Sequence, residues 1–199
     1  DRRELEVLPG TPPGIYHIEV ILHDPYKDQV LGPKDGGGLL LGPIEIPRRK
    51  PPTLTSSDIA YPQEAILGDK VRFLGYNIES GFRPGDGIHL TLFWQCLEEM
   101  EQNYTVFTHL IGETQNIWGQ KDNQPVDGFY PTSRWEVDEI VRDQYDLLIS
   151  PDAPPGKYQI EVGMYLVETE TRLSVNREGQ RVGDRILLGP ITIEGQGDG

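Results

Sequence analysis

The sequence predicts an all-β protein, an antiparallel β-sandwich of jelly-roll or immunoglobulin-like type. Two observations predict the class. Short apolar runs alternate with polar residues along most of the chain. Turn residues separate them, drawn from 23 glycines and 17 prolines, which is the pattern of strands and tight connections. Long polar helical stretches are absent. A third observation concerns organisation. The phrase Pro12-Pro13-Gly14-Ile15-Tyr16-His17-Ile18-Glu19-Val20 returns as Pro154-Pro155-Gly156-Lys157-Tyr158-Gln159-Ile160-Glu161-Val162, identical at seven of nine positions. Further on, Leu40-Leu41-Gly42-Pro43-Ile44-Glu45-Ile46 returns as Leu187-Leu188-Gly189-Pro190-Ile191-Thr192-Ile193. Two matches in the same order mark an internal duplication.

Aligned on the prolines, Asp1 falls on Asp143, Leu5 on Leu147 and Pro9 on Pro151. Residues 1–47 therefore read as a partial sandwich repeat, the last three strands of a module. Residues 48–57 read as a linker and 58–199 as a complete module. The first copy lacks everything corresponding to 53–142, so the chain is expected to be part of a longer polypeptide. A three-stranded sheet alone leaves an apolar face and two edges in water. The second module or another chain is expected to cover it, with a homodimer through the partial repeat as one arrangement.

In chain order, Leu5 and Val7 alternate with Glu4 and Glu6, giving a short strand over 2–8. Residues 9–14 form a turn. In the next strand Tyr16, Ile18, Val20 and Leu22 share a face opposite His17, Glu19 and Ile21. Residues 24–38 read as a loop. Its Gly36-Gly37-Gly38 precedes a strand and not a helix, so it lacks the context of a phosphate cradle. The third strand covers 39–46, bulged at Gly42-Pro43. The second module opens with a strand over 70–78 and the turn 83–87. The strongest strand spans 88–97, with Leu90, Leu92, Trp94 and Cys96 inward and His89, Thr91, Phe93 and Gln95 outward. Strands over 104–111, 116–121, 139–149, 157–167, 172–175 and 185–193 complete it, and Asn176-Arg177-Glu178-Gly179 is read as a turn. Residues 122–133 form a long loop. Tyr16 and Tyr158 are expected at the end of the core, with hydroxyls on backbone partners.

Composition excludes several functions. A formal net charge of −14 opposes nucleic acid and anionic membrane surfaces. The single cysteine, Cys96, rules out an intrachain disulfide and a Cys-rich zinc site; in an apolar strand it is expected to be buried. The four histidines, His17, His23, His89 and His109, are not at ligand spacing, so no metal site is assigned. Neither Ser80, Ser133 nor Cys96 has the context of a nucleophile beside a histidine. Paired carboxylates could hydrolyse a glycosidic bond. Glu98, Glu99, Glu101, Asp122, Asp127, Glu136, Asp138 and Glu139 are candidates, but spacing singles out no pair. No catalytic residue is assigned, and the chain is read as non-enzymatic. No cofactor is expected. A structural calcium is the nearest exception, on Asp122, Asn123, Asp127 and carbonyls of the same loop.

Several runs carry a family resemblance: Leu74-Gly75-Tyr76, Arg83-Pro84-Gly85-Asp86, Leu90-Thr91-Leu92-Phe93-Trp94-Gln95, Tyr104-Thr105-Val106-Phe107-Thr108-His109-Leu110, Tyr130-Pro131-Thr132-Ser133-Arg134-Trp135 and Pro154-Pro155-Gly156-Lys157-Tyr158. Over 65–194 the chain resembles the extracytoplasmic C-terminal β-sandwich of Chloroflexi-type family 39 membrane glycosyltransferases, the protein mannosyltransferase-like proteins. That family's catalytic machinery lies in its transmembrane part. The resemblance therefore implies a non-catalytic accessory module, held at the membrane by upstream segments. It departs from the family pattern at 98–102 and 168–171.

The binding expectation rests on aromatics. A sugar's C–H face lies on an exposed ring while neighbouring amides and carboxylates take its hydroxyls. Trp118, Tyr130 and Trp135 flank the loop that holds Asp122 and Asn123, and these five form the predicted glycan or lipid-linked-sugar site. The alternative is a structural spacer or protein-interaction module in which the rings plug the core.

Overall fold

The computed structural model describes residues 5, 7, 11–24, 29–31, 39–48 and 58–195. The chain divides into two compact units. One is Pro12–Lys50; the other comprises Asp1–Thr11 and Pro51–Gly199. Leu5 and Val7 are not in a strand; the rest of the strand expected over 2–8 lies outside the described residues, as does the linker from 49 to 57.

The smaller unit contains β1 (Gly14–Val20), β2 (Leu22–Asp24), β3 (Gln29–Leu31) and β4 (Leu39–Ile46). β1 pairs antiparallel with β4, and β2 with β3. The β2–β3 hairpin corrects the reading of one continuous loop after residue 24. It matches the far end of the second copy: Asp24 opposes Gln29 as Leu166 opposes Thr171, 142 residues later.

The larger unit is an antiparallel β-sandwich. Its strands are β5 (Tyr61–Leu67), β6 (Val71–Ile78), β7 (Gly87–Cys96), β8 (Thr105–Ile111), β9 (Ile117–Asn123), β10 (Ile140–Leu148), β11 (Gly156–Leu166), β12 (Thr171–Arg172), β13 (Val175–Arg177), β14 (Gln180–Gly183) and β15 (Ile186–Ile193). One sheet runs β10-β7-β6-β5-β13-β14. The other runs β9-β8-β11, with β15 and β12 sharing the far edge of β11. The described residues contain one 3-10 turn, Thr132–Arg134, and no helix long and apolar enough to cross a membrane.

Two elements escaped the sequence pattern. β5 contains Pro62, and its ladder with β6 slips between Pro62 and Ala65. That slip breaks the alternation by which a strand is read. The β13–β14 hairpin absorbs Asn176 and Arg177, expected as turn residues, and leaves Glu178-Gly179 to reverse the chain.

The core lies between the sheets. Leu90, Leu92, Trp94 and Cys96 point inward from β7 and meet Tyr158, Ile160, Val162 and Met164 from β11. Phe73 and Trp94 lie tilted at 5.0 Å between ring centres. Apolar groups also occupy outer faces. Phe93 and Phe107 are buried outside the main core cluster, as central strands covered on both faces require.

Candidate functional site

The structure separates the five predicted residues. Tyr130 and Trp135 are 0 % and 2 % exposed, so neither offers a ring to a sugar. This corrects the expectation of a stacking platform on the 118–135 loop. Both instead pin that loop to the core. The Tyr130 hydroxyl reaches the Glu139 carboxylate at 2.9 Å, and Trp135 Nε1 donates to the Tyr130 carbonyl at 3.0 Å. Burying such large rings stabilises the loop most when their polar atoms are satisfied, and here they are. Trp118 is half-buried against the core. Asn123 turns its amide to Asp127 Oδ1 at 2.6 Å, and Lys121 approaches the same carboxylate at 3.4 Å. Asp122 points elsewhere, towards His109. The oxygens proposed for calcium therefore do not converge. Among the described residues no group of three or more His, Cys, Asp or Glu has metal-holding geometry.

The structure gathers a different set on the outer face of the β9-β8-β11 sheet. Antiparallel pairing places Glu161 opposite His109 and Asp122 opposite Phe107. His109 Nδ1 lies 2.9 Å from Glu161 Oε1, and Nε2 lies 3.0 Å from Asp122 Oδ1. With an acceptor on each ring nitrogen, both nitrogens carry hydrogen, and the charged imidazolium is favoured. The Asp122 hydrogen bond does most to raise the His109 pKa; burial opposes it, and Glu161 adds to the rise. Glu161 is the counterpart. Burial resists its ionisation, yet His109 and Arg185 outweigh that and hold its carboxyl below the usual range. Arg185 Nη1 donates to Glu161 Oε2 at 2.5 Å, and Nη2 to Gln115 Oε1 at 3.3 Å.

Arg172 closes the face. Its guanidinium lies 4.1 Å from the centre of the Phe107 ring, 3.9 Å from Glu161 and 4.0 Å from Asp184. A cation over a ring at that distance is attracted to its face. Gly163 makes room beneath. A Cβ there would come within 2.5 Å of Phe107. The Tyr165 hydroxyl donates to Asp122 Oδ2 at 3.4 Å. Phe107, His109, Asp122, Tyr165, Glu170 and Arg172 together line an open groove of about 310 Å³. It offers guanidinium donors, carboxylate acceptors and the half-buried phenol of Tyr165, with the Phe107 ring buried beneath Arg172. Sequence reasoning found only Asp122 of this set. Phe107 and His109 fall on one face of the strand expected over 104–111, but which strand lay beside them was not legible.

A second buried carboxylate belongs to the fold. Asp143 is fully buried. Trp94 Nε1 donates to its Oδ2 at 3.2 Å, the Tyr145 hydroxyl to the same oxygen at 2.8 Å, and the Val126 amide to Oδ1 at 2.8 Å. Burial pushes its pKa up to about 6 against these donors. It ties the 122–133 loop, through Val126, to the heart of β10.

No protein-family model matches the sequence, and no curated protein matches it. Among solved structures, a glycosyl hydrolase family 2 member from Bacteroides cellulosilyticus is similar at a TM-score of 0.36 and 10% identity. The match covers 59% of this chain and 14% of that one. A likeness at this level carries no function across. Fold and groove define the class: an antiparallel β-sandwich module with a polar, arginine-capped groove on one outer sheet face.

Proposed function

We propose that the chain is a non-catalytic accessory module that binds glycan, or the sugar of a lipid-linked glycan, beside a membrane glycosyltransferase. The groove on the outer face of β9-β8-β11 carries this reading. Fixed donors and acceptors converge there beside the half-buried ring of Tyr165, as recognition of a neutral polyol requires. The resemblance of residues 65–194 to the extracytoplasmic sandwich of family 39 enzymes supports the accessory role and the extracytoplasmic location. The chemistry of the carboxylates also supports a role without catalysis. A general acid needs a raised pKa beside an open cleft. Asp143, pushed up to about 6, is sealed in the core, whereas Glu161 is locked in ion pairs.

A glycan array, supplemented with lipid-linked oligosaccharide in neutral vesicles, tests the proposal. The chain is expected to retain a subset of neutral glycans, and Arg172→Ala to lose them while its circular dichroism is unchanged. Signal at background throughout, or equal retention by the variant, overturns it. A second reading is a structural spacer or protein-interaction module. The burial of Tyr130 and Trp135 favours it, because two of the three rings predicted to bind sugar plug the core. It is the reading that a blank array would leave standing.

A further inference from the structure

The β1–β4 sheet is built as β11–β15 is built. Gly14, Ile15 and Tyr16 oppose Ile46, Glu45 and Ile44; Gly156, Lys157 and Tyr158 oppose Ile193, Thr192 and Ile191. Both ladders slip at the next residue and resume with Ile18 against Leu41 and Ile160 against Leu188. Gly42-Pro43 and Gly189-Pro190 are both cis. Tyr16 donates to the Pro12 carbonyl at 2.8 Å, and Tyr158 to that of Pro154 at 2.6 Å. Backbone, bulge and anchoring hydroxyl are all duplicated.

The apolar face differs. In the sandwich Val162, Ile186, Leu188 and Ile191 are 0, 1, 0 and 5% exposed. They share one core with Phe73, Leu92 and Trp94 of β6 and β7, and the Tyr76 hydroxyl of β6 accepts from the Gly189 amide at 3.1 Å. Their equivalents Val20, Leu39, Leu41 and Ile44 are 37, 56, 46 and 38% exposed. The reverse face of β1–β4 carries His17, Glu19 and Glu45 beside Ile15 and Leu40, as that of β11–β15 carries Gln159, Glu161 and Thr192 beside Lys157 and Leu187. The face that is apolar throughout is the one whose counterpart is buried in the sandwich, and large contiguous apolar faces mark interaction sites.

We propose that this face, centred on Ile18, Val20, Leu39, Leu41 and Ile44, docks a β-sheet of the β10-β7-β6-β5 type. The partner is a polypeptide segment with the pattern of residues 58–142, presenting large apolar and aromatic side chains and completing a second sandwich. The duplication selects this partner over a second copy of β1–β4. The duplicated bulge and register are those of a sheet that faces the β10-β7-β6-β5-β13-β14 sheet, and two facing two-stranded ribbons supply less than a stable sandwich needs.

The test places a second copy of residues 58–142 ahead of residue 1 in the full chain, the junction set by the match of Asp1 to Asp143. Backbone amides of 18–20, 39–42 and 44 are expected to exchange at least 100-fold more slowly than in the unfused chain, and binding of a hydrophobic dye to fall. Unchanged exchange with the added segment folded overturns the proposal. A second measurement does not depend on the fusion. Leu41→Asp in the unfused chain is expected to leave its melting temperature and its mass by light scattering unchanged. A fall of several degrees shows the face already packed within the chain. A dimer that Leu41→Asp splits shows that a second copy covers it. Either result overturns the proposal.

Discussion

The indole N–H of Trp94 donates to the carboxylate of Asp143 at 3.2 Å, inside the sandwich and out of reach of water. This pair joins β7 to β10 across a ladder in which Asp143 opposes Leu92. With Tyr145 and the Val126 amide it makes a fully buried polar knot. An ionised group can persist there because every donor points at it.

The Asp143 knot makes stability depend on pH in a defined direction. Its folded pKa of about 6 lies above the ordinary 3.8, so the folded state holds the proton more tightly. Stability from this group falls as pH rises from about 4 to about 6, by an amount on the order of 3 kcal/mol, and is level above. Asp143→Asn removes the ionisation and sets an amide N–H₂ among donors. The variant is therefore expected to lose more stability at pH 4 than at pH 7. Urea unfolding of both proteins from pH 4 to 7 checks this. An equal loss at both ends would contradict a raised carboxyl.

The His109 network depends on pH in both directions. The His109 pKa is raised, so its contribution is complete below the usual 6.5 and is lost as pH climbs through the raised value. The Glu161 pKa is lowered, so its contribution is complete above the usual 4.5 and is lost on acidification through the lowered value. The network is strongest between those two limits. Imidazole proton NMR is expected to show His109 titrating above 6.5. Asp122→Asn should bring it down more than Glu161→Gln, because the Asp122 bond is the larger cause. Titration at or below 6.5 in the parent protein would contradict the geometry.

Cys96 is expected to be inert. It is fully buried, its thiol donates to the Glu98 carbonyl at 3.2 Å, and burial pushes its pKa up to about 11. Thiolate is the reactive form. A disulfide exchange reagent should therefore label the native protein only at the rate of unfolding. Prompt labelling without denaturant would place the thiol at the surface.

Gly163 holds the Phe107–Arg172 stack in place by lacking a side chain. An added Cβ meets the Phe107 ring at 2.5 Å and the Asp184 carbonyl at 3.1 Å. Gly163→Ala is expected to cost about 1–3 kcal/mol by overpacking and to weaken any ligand held in the groove. Thermal unfolding measures the first effect. A melting temperature equal to the parent's would show that the ring moves aside freely.

Much of this was legible in the residues alone. Strict alternation placed Leu90, Leu92, Trp94 and Cys96 inward on β7, because a strand's faces repeat every two residues whatever surrounds it. The duplicated phrases located two equivalent sheets and placed Tyr16 and Tyr158 at their ends, since local sequence sets turns and bulges. Strand partners are set by contacts far apart in sequence. Thus only the tertiary structure decided that β5 pairs with both β6 and β13, and that β8 lies between β9 and β11. The same distance effect hid the site. His109 meets Glu161 from 52 residues away and Arg185 reaches Glu161 from 24, and neither separation is written in a local pattern. Tyr130 and Trp135 show the converse. Their type suits a sugar platform and a core plug equally, and the space left between loop and sheet chose the plug.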